Sequence, residues 1–561
     1  MLRNAAILSA AILTACAQTA PASAPETVEA AGALQPTATR IFSSGTIYTG
    51  LGTETVDTVA VNDDGRIVWT GSIDDLDAQV EIEGAEFVWL DNAFMYPGFT
   101  DGHAHLIGIG QRELSLDLSG VKSLAELLET VAAQDEELPE GEMIIGGGWI
   151  ETDWPEGRMP TAADLDSVAG DRVVILYRAD GHALVASSAA LEAGGITDAS
   201  EDVSGGKIER GADGKATGIL IDNSMTPIGA LIAAPTPDGV KRAFVEGANV
   251  YVERGWTGVH NMSVSPGHAS VLKALDEAGQ MPLRLWNAFD AEGANIAEGH
   301  LFETDTITNR AVKLYMDGAL GSRGALLIEP YSDRPDTSGV VRTSQEELSA
   351  QMRQADEGGY QLAIHAIGDL ANRHIIDAFE EGGYGPEKRW RIEHTQIVNP
   401  DDIKRIGEDG LIASMQPSHA IGDLKFAPAR LGFARLDGAY AWQDLLDNGA
   451  IVVGGSDAPV EVGSPLIEFY AAVARKDLEG NDGQGWHPEQ ALSRTEALAL
   501  FTSAPAYAAF MEDDLGTIEV GKLADFTVFD RDLMEVPEAD ILNAEAMMTV
   551  VQGEIVWQRA K

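Results

Sequence analysis

Met95-Tyr-Pro-Gly-Phe-Thr-Asp-Gly-His103-Ala-His105 closes a short apolar run with Pro-Gly and then delivers two imidazoles two positions apart. On an extended strand, residues i and i+2 point to the same side. Two neutral imidazoles converging on one point are a ready pair of metal ligands. A His-x-His pair gains weight only if the rest of the chain supplies further ligands in order, so the remaining strands decide its meaning.

Downstream of that stretch, strand-like runs alternate with helical patterns, which argues for parallel βαβ units. Capping boxes mark helix starts at Ser123-x-x-Glu126, Ser344-x-x-Glu347 and Ser493-x-x-Glu496. Candidate strands lie near 98–103, 256–261, 283–288, 311–316, 361–365, 391–394, 411–416 and 451–456. Eight is the number that a closed (β/α)8 TIM barrel requires, which makes the fold class α/β. Reaching eight treats about 106–250 as an insertion after strand one. It holds strand-like runs of its own, such as Arg172-Val-Val-Ile-Leu-Tyr177, and in that place it would wall in a pocket. No internal repeat of fixed period is visible.

A barrel keeps its chemistry at the C-terminal ends of its strands. Strand one ends in His103 and His105, strand four carries Lys313 and then Asp317, strand five ends in His365, strand six in His394 and strand eight in Asp457. Four histidines, a lysine and an aspartate on barrel strands form a constellation that His-x-His alone does not.

Both flanks read as short strands. Thr39-Arg-Ile-Phe42, Thr58-Val-Ala-Val61, Arg66-Ile-Val-Trp69 and Phe87-Val-Trp-Leu90 precede the barrel; Ala524-Asp-Phe-Thr-Val-Phe529, Ala546-Met-Met-Thr-Val-Val551 and Glu554-Ile-Val-Trp557 follow it. Small sheets of two or three strands are marginal, so the two ends are expected to close together. That gives one composite β-sandwich domain from 39–97 and 505–561, with 98–504 left to the barrel.

The 561 residues include 89 acidic and 38 basic ones, for a net charge of −51. Such a surface repels nucleic acid and anionic lipid headgroups, which excludes both as partners. No acidic block is long enough to read as a tail, so the charge is spread over solvated faces. The one cysteine, Cys16, excludes an intrachain disulfide. It follows Met1-Leu-Arg-Asn4 and a run from Ala5 to Leu13 that is apolar except for Ser9. Residues 1–16 therefore have a signal-peptide layout, too short to span a bilayer. The stretch resembles a bacterial lipoprotein signal, whose Cys becomes the lipidated N-terminus; a plain secretory signal with an incidental Cys is the alternative. Residues 17–38, rich in Ala and Pro, read as a tether. Ala17 after the Cys is similar to the Gram-negative pattern for outer-membrane sorting. The expectation is an exported body, lipid-anchored to the outer membrane and facing the periplasm or the cell surface. Nothing in the sequence sets an oligomeric state.

Several blocks are similar to those of the metal-dependent amidohydrolase superfamily, in the amidohydrolase family 3 branch of N-substituted formamide deformylase-like bacterial hydrolases. They are Pro97-Gly-Phe-Thr-Asp-Gly-His-Ala-His105, Gly147-Gly-Trp149-Ile, Arg178-Ala-Asp-Gly-His182, Val312-Lys-Leu-Tyr-Met-Asp317-Gly-Ala-Leu-Gly-Ser-Arg323, His365-Ala-Ile-Gly-Asp369, Arg391-Ile-Glu-His394-Thr-Gln, Ser414-Met-Gln416-Pro-Ser-His419, Gly454-Gly-Ser-Asp457-Ala-Pro-Val-Glu461 and Gly516-Thr-Ile-Glu-Val-Gly-Lys-Leu-Ala-Asp-Phe526. The resemblance covers nearly all of 39–561. It implies one or two divalent ions, Zn2+ by preference, held by His103, His105, Lys313, His365, His394 and Asp457, with Lys313 as an N6-carboxylysine bridge. It also makes Trp149, His182, Asp317, Arg323, Gln416 and His419 candidate substrate-binding residues. For His182 and His419 a pocket-lining and a structural role stand level, and for Arg323 an ion pair with one of the many carboxylates leads.

The chemistry follows from such ligands. A divalent metal lowers the pKa of bound water to about 7, and Asp457 would take its proton and pass it to the leaving amine. An unmodified Lys ammonium would repel the cation, whereas a carboxylated Lys313 would be an anionic ligand. The expected reaction is hydrolysis of an amide-type C–N bond in a small molecule, a formamide or N-acyl compound. A lactone or ester, deamination of an aminated ring, and a non-catalytic ligand-binding lipoprotein are the alternatives.

Overall fold

A computed structural model describes residues 35–139, 141–151, 154–178, 183–203, 206–232, 236–291, 302–481 and 486–560. The signal-like segment with Cys16, most of the tether, and His182 lie outside the described residues.

Eight strands form one parallel sheet: β1 (Phe99–Ala104), β2 (Trp256–Val264), β3 (Arg284–Asp290), β4 (Ile307–Tyr315), β5 (Gln361–Ala366), β6 (Arg391–His394), β7 (Ile412–Met415) and β8 (Ile451–Gly454). Each pairs in parallel with the next along the chain. The sheet curls until β8 meets β1, where the Asp457 N–H donates to the His103 carbonyl at 2.6 Å. Glycines permit that seam. A Cβ on Gly102 would stand 2.3 Å from Val453 Cγ1, and one on Gly455 would stand 2.4 Å from the His103 nitrogen. The (β/α)8 barrel expected from the sequence is therefore present as a nearly closed eight-stranded sheet. Its strands are near-continuous apolar runs, such as Leu362, Ala363 and Ile364, because helices cover the outside.

The insertion is smaller than the sequence suggested. Helix Leu106–Glu113 packs against helix Pro237–Arg254, so closely that a Cβ on Gly110 would stand 1.7 Å from the Ala243 carbonyl oxygen. Both helices belong to the barrel layer, and Thr236, with its side chain accepting from the Gly239 N–H, starts the return to β2. Between them, strands 116–117, 144–149, 174–178, 183–186, 206–210 and 216–222 form a separate six-stranded sheet. Apolar clusters cover it on both faces, one around Trp149 and Leu176, the other around Ile175 and Leu184.

Strands 40–48, 55–61, 67–71, 86–89 and 94–97 join 526–529, 546–551 and 554–558 in a third sheet, built from both ends of the chain. It forks at Arg40–Tyr48, which pairs with three neighbours. Phe42 and Phe526, from opposite ends of the chain, meet edge-on with ring centroids 5.4 Å apart. The barrel extends past position 505, the boundary read from the sequence. Ala508, in helix Ser503–Ala508, packs on Ile412 of β7 and Val453 of β8. Among the described residues, no helix is long and apolar enough to cross a membrane.

Candidate metal centre

β1 positions the first two imidazoles as its alternation predicts. His103 is fully buried, the His105 side chain is 29% exposed, and their ring centroids are 5.6 Å apart. Each ring has an acceptor on its outer side: His103 Nδ1 is 2.6 Å from Glu393 Oε2, and His105 Nδ1 is 3.2 Å from the Met262 carbonyl. These acceptors hold the ring protons on Nδ1 and leave the Nε2 lone pairs facing inward, the form a metal requires. Burial, with the Lys313 charge beside it, lowers His103 to about 4, so its imidazole is neutral.

Behind His103 runs a buried charge chain. Arg391 Nε donates to Glu393 Oε1 at 2.8 Å, and its other nitrogens reach Gly102 O, Ser414 Oγ and His260 Nδ1. Burial pushes the Glu393 carboxyl up, but Arg391, His103 and Lys313 outweigh it and hold it well below the usual range. Glu393 thus stays anionic and raises the basicity of the His103 ring. Lys313, almost wholly buried, places Nζ 3.3 Å from His103 Nε2, and burial lowers its ammonium to about 8.

Asp457 joins two groups of donors. Its Oδ1 lies 3.2 Å from His105 Nε2 and 3.5 Å from His103 Nε2, while its Oδ2 lies 3.6 Å from His419 Nε2. Donor atoms of His103, His105 and Asp457 lie within 4.8 Å of one another, and so do those of His394, His419 and Asp457. Burial raises the Asp457 carboxyl, but the His105 hydrogen bond and the other imidazoles hold it well below its ordinary range. Backbone strain sets two of these directions. His394 has φ 74° and Asp457 φ 59°, left-handed values that side-chain-bearing residues rarely adopt. Glu393 and His394 are neighbours on one strand, yet both reach His103; the left-handed turn at His394 brings its ring to 4.8 Å from that of His103. Gln416 Oε1 accepts from His394 Nδ1 at 2.7 Å, which again leaves Nε2 inward.

Not every sequence-chosen residue takes its expected place. His365 stands beside the second triad: its ring is 4.5 Å from that of His394, and its buried Nε2, 3.3 Å from Asp317 Oδ1, has no hydrogen-bond partner among the described residues. His419, expected as a pocket or structural residue, supplies the third donor of that group. Asp317 does not face a substrate. It is fully buried and accepts the backbone N–H groups of Leu326, Ile367 and Gly368, tying the loops after β4 and β5 together. Trp149 is no pocket wall: it is fully buried in the insertion core, with Nε1 donating to Leu176 O. Arg323 pairs with Asp333 at 2.8 Å, as the leading reading had it. Gln416 engages His394 through Oε1, and its buried Nε2 has no hydrogen-bond partner among the described residues. Sequence reasoning passed over Glu393 and Arg391, although the alternation in Arg391-Ile-Glu393 puts two opposite charges on one strand face. It also passed over Asp101, two residues before His103, which accepts from Ser456, Tyr251 and the His103 N–H.

The donor set fits a divalent cation. Inward Nε2 atoms and one shared carboxylate are what Zn2+ and similar ions take, and the buried His419 Nε2 has no hydrogen-bond partner among the described residues. Sequence comparison agrees: the profile of the amidohydrolase family matches residues 86–557. The chain belongs to the amidohydrolase family. It is 34% identical to the YtcJ protein of Bacillus subtilis (strain 168) over 93% of this chain and 99% of that one. With N-substituted formamide deformylase of Arthrobacter pascens the identity is 27%, over 88% of this chain and 94% of the relative. Among solved structures, an uncharacterized metal-dependent hydrolase from Pyrococcus horikoshii OT3 superposes with a TM-score of 0.74 at 28% identity, over 89% of this chain and 99% of that chain. Family and structural neighbours together make this amidohydrolase a metal-dependent hydrolase.

Proposed function

We propose that this amidohydrolase cleaves an amide-type C–N bond of a small molecule, of the formamide or N-acyl class. The observation that carries the reading is Asp457, whose two oxygens are shared between two inward-facing imidazole groups. When bound, a divalent metal, Zn2+ by preference, supplies Lewis acidity that lowers the pKa of water and polarises a carbonyl. His103, His105, His394 and His419, with His365 beside them, would hold it, with Asp457 between the two groups. Asp457, held anionic, accepts the proton of the attacking water and delivers it to the departing nitrogen. Glu393 and Gln416 keep the rings oriented throughout. The name of the Arthrobacter pascens relative supports a formamide or related amide as the bond attacked.

Lys313 is proposed as an N6-carboxylysine. With its ammonium lowered to about 8, a fraction of the amine is neutral at physiological pH. Its Nζ lone pair adds to the carbon of CO2, forming an N–C bond and releasing a proton, and the carbamate would be an anionic ligand beside His103. We also propose that Cys16 is lipidated and that the enzyme is anchored to the outer membrane by that lipid; replacing Cys16 by Ser should release it from the membrane fraction.

The deciding experiment treats purified enzyme with a chelator and screens formamides, N-acyl amino acids, lactones and aminated heterocycles before and after. One to two divalent ions per chain, activity on an amide, and its loss and recovery with metal are expected. A metal-free active enzyme refutes the mechanism, and turnover confined to lactones or ring amines refutes the bond assignment.

A further inference from the structure

Arg342 stands apart from the other arginines near the strand ends. Arg323 and Arg430 both spend their charge on Asp333. Arg342 is exposed, and among the described residues no carboxylate pairs with its guanidinium, in a chain with 89 acidic residues against 38 basic. Its position is nonetheless fixed. The Arg342 N–H donates to Met316 O at 2.9 Å, and Thr343 Oγ1 donates to Tyr315 O at 2.6 Å, which fastens this loop to the exit of β4. The guanidinium lies over the Tyr315 ring, 4.6 Å from its centroid, and Lys313 Nζ lies 5.5 Å from that same centroid. The Tyr315 hydroxyl is held by Ser263 Oγ and by Asp290 Oδ1, so the ring is a fixed platform.

Asp290, Lys313, Tyr315 and Arg342 line one cavity of about 400 Å3, within the size range of small-ligand pockets. Asp290, the carboxylate of that cavity, accepts the Tyr315 hydroxyl. Arg342 is left as a positioned cation whose planar fork matches a carboxylate.

We propose that Arg342 determines specificity by binding a carboxylate on the substrate, so that the preferred amides are anionic ones of the N-acyl amino acid type. This rests on the amide-hydrolase reading above.

The test compares N-formyl-L-leucine with N-isopentylformamide, the same skeleton without the carboxylate, on the wild-type holoenzyme, Arg342→Met and Arg342→Lys. Wild type should prefer the anionic substrate in kcat/KM. Arg342→Met should cut that preference by about tenfold or more, chiefly through a raised KM for N-formyl-L-leucine, and Arg342→Lys should restore part of it. Metal content and the thermal midpoint of each variant separate this from misfolding. A wild-type preference for the neutral substrate, or a preference unchanged in a folded, metal-loaded Arg342→Met, overturns the proposal. If neither formamide is cleaved, the formamide reading fails, and equilibrium binding of the same pair decides for Arg342. Tighter binding of the carboxylate that is lost in Arg342→Met supports its role, and equal binding overturns it.

Discussion

Glu393 Oε2 lies 2.6 Å from His103 Nδ1, with both side chains fully buried, and Arg391 closes on the other carboxylate oxygen at 2.8 Å. This pair couples a charge in the barrel interior to the inward face of the first imidazole. Glu393→Gln keeps an acceptor but removes the charge and leaves Arg391 uncompensated. We expect metal affinity to fall by about 10–100-fold, read by competition with a chelator, and stability to fall by roughly 3–5 kcal/mol in denaturant unfolding. Unchanged affinity would remove Glu393 from the centre.

Asp457→Asn should lower kcat by about 10²–10⁴-fold, because the amide can neither take a proton nor carry the charge shared by the four imidazoles. Far-UV circular dichroism should be unchanged. Full turnover by this variant would overturn the role assigned to Asp457.

Asp101 gives a pH signature. Burial raises its carboxyl from an ordinary value near 3.8 to about 6, against hydrogen bonds from Ser456, His103 and Tyr251 that favour the charged form. The folded state therefore holds this proton at a pH where the unfolded chain has lost it. Its stabilising contribution is full below the unfolded value and is lost as pH rises through about 6, an effect of about 3 kcal/mol. Asp101→Asn should be less stable overall yet show a flatter decline between pH 4 and 6, as measured by unfolding at a series of pH values. Parallel pH slopes for the two proteins would refute it.

Trp149→Ala should destabilise the insertion by about 3–5 kcal/mol, since the indole is fully buried and its Nε1 is satisfied by Leu176 O. Metal content should not change. Loss of bound metal without loss of stability would return Trp149 to the site.

The sequence by itself determined the eight barrel strands and the side of β1 from which His103 and His105 act. Both follow from local rules: apolar runs bounded by turns make buried strands, and alternation puts i and i+2 on one face. It also placed Lys313, His394 and Asp457 at strand ends. Only the tertiary structure decided which of those ends meet. His419 joined His394 and Asp457, both of which have left-handed backbone, in one donor group that no local pattern announced. Glu393 became the partner of His103 across 290 positions of chain, Trp149 was drawn into the insertion core, and Asp317 was engaged by backbone N–H groups behind His365. Local periodicity fixes the direction of a side chain on its own strand, whereas its partner is set by closure of the barrel, which brings β8 against β1 at Gly102 and Gly455.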